Sequence, residues 1–380
     1  MSEEKEGRGI VKRRQFLAAV GIAGIGGALW ARKVWRSESE KGSGVIYIGG
    51  YSTPSGLTIA RLDEKTGALI ALGQVPDVPK ASWFAYSADR RFLYLTNEFE
   101  TAGQLTALDV SDPKQPKVLG TQPSRGAAPT HVTVHPSGRH LLTANYGDAT
   151  VAVHRIEADG RIGESTDLVR QTGTQREAHA HQVLVDPSGK WVLVVDLGAD
   201  SVFVYAFDPA AGKLKQHAKV TLPTGTGPRH LAFHPTANRV YILGELVPVV
   251  TVATWDDKSG ELTLGQVVGT VAPGTTSTNY PGEIAISSDG KFVYASNRGE
   301  NSIATFAVQD QGARLEFLGT TPTGGNWPRH FVLSPDEHWM YVSNQRSNSV
   351  TWLPRDPTTG RLGSSAGSLE VQTAAIVSFR

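Results

Sequence analysis

The side chains best suited to chemistry in this sequence fall in a few short runs. They are His179-Ala180-His181, Asp196, Gly227-Pro228-Arg229-His230, Gly244-Glu245-Leu246, Glu283, Asn297-Arg298 and Arg329. An imidazole titrates near neutral pH and can serve as a general base. Guanidinium forks suit a developing oxyanion, a carboxylate or a phosphate. A glutamate among arginines can orient them or carry a proton. The set therefore suits addition of water to an activated carbonyl, with His179 or His181, Arg229, Glu245 and Arg298 as candidate catalytic groups. His181, Asp196, Glu283, Asn297, His230 and Arg329 are candidate substrate-binding groups. Cysteine is absent, which excludes disulfides, thiolate metal sites and a cysteine nucleophile. No D-x-D-x-D-G loop supports calcium. His131, His135 and His234 are scattered and read as structural, so neither a metal nor another cofactor is expected.

Something must bring these runs together, and a repeat provides it. An alternating apolar strand, a tight turn rich in Pro, Ser, Asp and Gly, and a second apolar strand recur at 84–98, 132–147, 183–198, 231–246, 284–299 and 331–346. The second strands end at Asn97, Asn145, Asp196, Gly244, Asn297 and Asn344, spaced by 48, 51, 48, 53 and 47 residues. A period of that size with short strands is the mark of propeller blades. Val45 to Tyr51 matches a second strand lacking its first, and Thr373 to Phe379 a first strand lacking its second. Pairing them predicts an all-β, seven-bladed β-propeller whose ring is closed by N- and C-terminal strands sharing one blade, removing exposed edges.

Residues equidistant from a hairpin turn lie opposite one another. That arithmetic places Arg229 near Glu245, Glu283 near Arg298, His179 near Asp196, Arg329 near Asn344, and Pro129 near Asn145. In a ring of equivalent hairpins these strand ends share one face, so the polar groups converge over a central channel. Asp196 would then fix the His179 tautomer. The Asn recurring at strand ends reads as a structural staple.

The runs that break the repeat carry a family resemblance. Tyr47-Ile48-Gly49-Gly50-Tyr51-Ser52, His179-Ala180-His181, Gly227 to Pro235, Gly244-Glu245-Leu246 and Ala295-Ser296-Asn297-Arg298-Gly299 resemble motifs of the propeller lactonases. That family is typified by 6-phosphogluconolactonase and includes fungal carboxy-muconate lactonizing enzymes. The resemblance spans about residues 45 to 380. It implies a lactone substrate and, by analogy with the lactonizing enzymes, an active site of one His, two Arg and a Glu. These fall on Arg229, Arg298, Glu245 and the HAH element, with His179 preferred to His181 for its strand-end position. Ala178 stands where Pro often precedes that element, and Gly244 replaces an Asn.

Lys12-Arg13-Arg14-Gln15-Phe16-Leu17 and the Gly/Ala-rich apolar run after it resemble a twin-arginine export signal. The expected organisation is a signal or anchor over 1–36, a linker over 37–44 and a propeller over 45–380. Export to the periplasm or beyond follows, with the Tat machinery as a partner and membrane contact only through an uncleaved signal. Charge is balanced, 37 Lys+Arg against 36 Asp+Glu, with no polybasic block, so nucleic acid is not an expected partner. A monomer is the default. Two other functions fit the same pattern: a muconate-type cycloisomerase and an exported, non-catalytic binding propeller.

Overall fold

The computed structural model describes residues 44–380; the twin-arginine run and most of the expected linker lie outside the described residues. The described chain forms seven four-stranded antiparallel sheets. Blade I joins Val45–Gly50, Leu57–Leu62 and Leu69–Val75 to the C-terminal strand Ala374–Phe379. Blades II to VII follow in order over 81–123, 129–170, 180–221, 228–269, 280–322 and 328–370. Among the described residues only two single 3₁₀ turns, Asp310–Gly312 and Gln345–Ser347, depart from strands and loops.

The ring closes as the split repeat predicts. Ile46 pairs with Phe379, Ile48 with Val377 and Gly49 with Ile376. The seven inner strands are Ala81–Tyr86, Pro129–Val134, Ala180–Val185, Pro228–Phe233, Tyr280–Ile286, Pro328–Leu333 and Ala374–Phe379. Each touches the inner strands of the two flanking blades, completing a circle.

The core lies between blades rather than within one centre. Seven apolar clusters occupy the seven blade interfaces, as where Leu193, Val195 and Val204 of blade IV meet Leu231, Val240 and Ile242 of blade V. Each such side chain contributes about 1.5–3 kcal/mol when fully buried. A tyrosine in the second strand adds a polar link between neighbours. The hydroxyls of Tyr47, Tyr241, Tyr294 and Tyr341 donate to the carbonyls of Pro113, Gly312, Gly360 and Gly67 in the next blade. A wide apolar face on both sides of every sheet thus fixes the ring, leaving strand ends to carry function.

Candidate active site at one end of the channel

The predicted hairpin ends are in place, at the expected register for Pro129 and Asn145 and displaced for the other four pairs. Pro129 faces Asn145, Ala180 faces Asp196, Pro228 faces Gly244, Pro281 faces Asn297 and Pro328 faces Asn344. The displacement has a cause. Directly after this pair, the inner strands of blades II to V and VII skip one residue, and blade VI skips two. A β-bulge adds an unpaired residue and re-aims its side chain. Pro129, Pro228 and Pro328 occupy strand starts, where a missing N–H is tolerated, and Pro281 the second position of its strand. The bulged pairs are Ser82-Trp83, Thr130-His131, His181-Gln182, Arg229-His230, Gly282-Glu283 and Arg329-His330. All lie at the same end of the ring.

Three arginines meet there. Glu245 Oε2 lies 3.0 Å from Arg229 Nε and 2.7 Å from Arg298 Nη2, so one carboxylate bridges two blades. Arg229 Nη1 also donates to the Gly282 carbonyl. Arg298 donates to the carbonyls of Tyr280 at 2.8 Å and Pro281 at 3.1 Å. Arg329 lies 3.6 Å from Glu98 Oε2 and 5.2 Å over the Tyr51 ring. Tyr51 donates its hydroxyl to Glu98 at 2.8 Å. Burial, then the charges of Arg298 and Arg329, push the Arg229 guanidinium down to about 9. Burial pushes the Tyr51 phenol up, so it stays a neutral donor.

Beside the arginines is a buried ring of imidazoles around Trp83. Trp83 lies 4.3 Å from His131, 5.1 Å from His230 and 5.3 Å from His330, centre to centre. His181 lies 5.0 Å from His230. Desolvation, and then nearby positive charge, hold His131, His181 and His230 well below the usual imidazole range. For His181 the first of those charges is Arg229. These rings are neutral bases at physiological pH. The Nδ1 atoms of His131 and His181 and Oε2 of Glu283 are buried without a hydrogen-bond partner.

The structure thus brings Arg229, Glu245, Arg298, His181, His230, Glu283 and Arg329 to one end of the channel. His179 stands further out. Its ring stacks on Tyr146 at 4.5 Å, and Tyr146 in turn touches His181 edge-on at 5.7 Å. Asp196 does not fix the His179 tautomer. Its Oδ1 accepts the backbone N–H groups of His179 and Ala199, while His179 Nδ1 lies 2.9 Å from the Tyr146 carbonyl. Burial raises the Asp196 carboxyl. The expected Glu283–Arg298 approach is absent, because the two-residue bulge turns Glu283 toward His230 and His330. Arg329 reaches Glu98 rather than Asn344. Asn297 is a staple: it bonds Thr270, Asn279 and Ser302 and is fully buried. Sequence reasoning missed Tyr51, Trp83, Glu98, Tyr146 and His330. Glu98 follows the recurring strand-end Asn97, just as Arg298 follows Asn297, and that parallel was a usable signal.

Fold and cluster together define a class: a seven-bladed propeller with a cationic, imidazole-lined site at one end of its channel. Residues 45–379 match the family described as lactonase, 7-bladed β-propeller. A 6-phosphogluconolactonase of Bacillus subtilis is 29% identical, covering 88% of this chain and 97% of its own. An uncharacterized protein of Lactococcus lactis subsp. cremoris is 33% identical, covering 83% and 94%. Among solved structures, a periplasmic gluconolactonase of Pseudomonas aeruginosa superposes with a TM-score of 0.83 at 28% identity, covering 88% and 98%. The chain belongs to the seven-bladed β-propeller lactonase family, and it is a lactone hydrolase. The muconate-type cycloisomerase expectation gains no support from these relatives.

Proposed function

We propose that this protein hydrolyses a sugar δ-lactone of the glucono-1,5-lactone type, with or without a 6-phosphate, using His181 as general base. The observation that carries this reading is the convergence of Arg229 and Arg298 on one carboxylate, Glu245, beside the neutral ring of His181. In the mechanism, His181 accepts a proton from water as the water oxygen attacks C1 of the lactone. Negative charge grows on the carbonyl oxygen, where Arg229 and Arg298 already point charged donors in a site shielded from bulk water. As the tetrahedral intermediate collapses, the C1–ring oxygen bond breaks and imidazolium His181 returns its proton to the departing alkoxide. Water's elements are divided between the acid and the freed hydroxyl. Glu245 holds the two guanidiniums against their mutual repulsion. Tyr51 and Arg329 are placed to bind the substrate's hydroxyls or a second anionic group. Among the described residues no group of three or more His, Asp or Glu side chains is arranged to hold a metal ion.

A lactone panel tests this. The purified protein should hydrolyse glucono-1,5-lactone or its 6-phosphate faster than buffer alone, and a failure to accelerate any member would refute it. The Arg13-Arg14 run and the periplasmic setting named for the Pseudomonas aeruginosa relative support export through the Tat machinery, with a signal over 1–36, a linker over 37–44 and the propeller beyond. Export favours the unphosphorylated lactone, because the phosphorylated one forms inside the cell. Replacing Arg13 and Arg14 by Lys should retain the protein in the cytoplasm on fractionation; unchanged export would contradict the assignment.

A further inference from the structure

Glu283 is the one carboxylate of the cluster that pairs with no arginine, and it is 5% exposed. Its Oε1 lies 3.0 Å from His230 Nδ1 and accepts the Ile284 N–H at 3.0 Å. Its Oε2 faces His330 Nε2 at 3.8 Å. The backbone is pinned as well, since the Glu283 N–H donates to Ser296 Oγ at 2.9 Å.

The hydrogen positions on both imidazoles follow from their other neighbours. A guanidinium only donates, and Arg229 Nη1 lies 3.4 Å from His230 Nε2. That nitrogen must therefore offer its lone pair, leaving the proton on Nδ1 to be donated to Glu283. His330 Nδ1 lies 3.5 Å from the Val377 N–H, which also only donates, so its proton sits on Nε2 and faces Glu283. Glu283 Oε1 accepts the His230 proton, while Oε2 faces the His330 proton at 3.8 Å without bonding it; an apolar residue offers neither ring an acceptor. Burial pushes the Glu283 carboxyl up, opposed by His330, Arg229 and Arg329, which favour the carboxylate.

We propose that Glu283 is a positioning residue: by taking the Nδ1 proton of His230 it fixes the Nε2 lone pair on Arg229 and so sets the plane of the guanidinium that receives the oxyanion. Without the acceptor, His230 can place its proton on Nε2, turning a donor against a donor and pushing Arg229 out of line. The second-neighbour role resembles that of the groups that fix the tautomer of metal-bound or catalytic imidazoles. The inference rests on the reading of Arg229 as oxyanion donor.

The test is a kinetic cycle on the full-length protein. Glu283→Leu should lower kcat on glucono-1,5-lactone about tenfold or more with KM changed less than about twofold, because the oxyanion forms only in the transition state. Glu283→Gln keeps an acceptor oxygen for Nδ1 and should recover kcat to within about threefold of the parent. His230→Gln should show the same kcat loss as Glu283→Leu. The double variant Glu283→Leu/His230→Gln should be no slower than either single, as expected for residues acting through one another. Additive losses, an unchanged kcat in Glu283→Leu, or a Gln variant as poor as the Leu variant would overturn the proposal. If Glu283→Leu does not fold, the His230→Gln and Glu283→Gln results decide on the same terms. Should Arg229→Ala keep full activity, the assignment of the active site fails instead.

Discussion

Replacing Arg229 by alanine separates catalysis from folding in this site. The guanidinium is 2% exposed, 3.0 Å from Glu245 and within contact of His230 at 3.4 Å. Removing one preorganised donor to an oxyanion typically costs about 10²–10³ in kcat, or about 2.7–4 kcal/mol. Breaking a buried ion pair often costs about 3–5 kcal/mol because a charge is orphaned. Here Glu245 keeps Arg298 at 2.7 Å, so the orphan is avoided. The remaining structural losses are the donors to the Gly282 carbonyl and to His230 Nε2, each worth about 1–3 kcal/mol. Arg229→Ala should therefore stay folded by circular dichroism, with a lowered melting temperature. In a pH-stat assay with glucono-1,5-lactone it should lose about 10²–10³ in kcat while KM moves less than about threefold. Arg229→Lys should not restore activity, because one ammonium cannot hold Glu245, Gly282 and the oxyanion together. A kcat within threefold of the parent, or a loss confined to KM, would refute the oxyanion assignment.

Four other outcomes follow from the same geometry. His181→Ala should lower kcat by about 10²–10⁴, the usual contribution of a general base, whereas His179→Ala, behind Tyr146, should cost less than about tenfold; the reverse order would exclude His181 as the base. For pH, His181 is depressed in the folded protein, so it stays a free base as pH falls through 6.5 and activity should persist there, declining only at lower pH. Stability runs with the same shifts: below about 6.5 the unfolded chain takes up protons that the buried His131, His181 and His230 do not, so the melting temperature should drop as pH decreases through that range. A melting temperature flat from pH 7 to 5 would contradict this. Asn297→Ala should lower the melting temperature, at about 1–3 kcal/mol for each buried partner left unmade, and leave KM unchanged; a raised KM would restore Asn297 as a substrate contact.

The fold was legible in the sequence because every blade repeats the same two instructions, an alternating apolar strand and a Pro/Gly/Asp turn. Even the shared blade was readable, since Val45–Gly50 and Ala374–Phe379 each lack the half the other supplies. The site was legible in part. Arg229, Glu245 and Arg298 converge as hairpin arithmetic predicts, because their blades place them at the same end of the ring. The arithmetic failed where a bulge intervenes, for a bulge changes which side chain faces the channel without changing the apolar pattern. Hence His181 rather than His179 lies beside the arginines, and Glu283 turns to His230 rather than Arg298. Trp83 and Tyr51 escaped notice because an aromatic at a strand end reads as core. Only the closed ring reveals that Trp83 touches imidazoles from three other blades.

The most direct test is a crystal structure with glucono-1,5-lactam, whose ring nitrogen resists hydrolysis. The account predicts the lactam carbonyl oxygen between the guanidiniums of Arg229 and Arg298, with a water or the ligand itself bonded to His181. A lactam bound at the opposite end of the channel, or out of reach of both arginines, would contradict it.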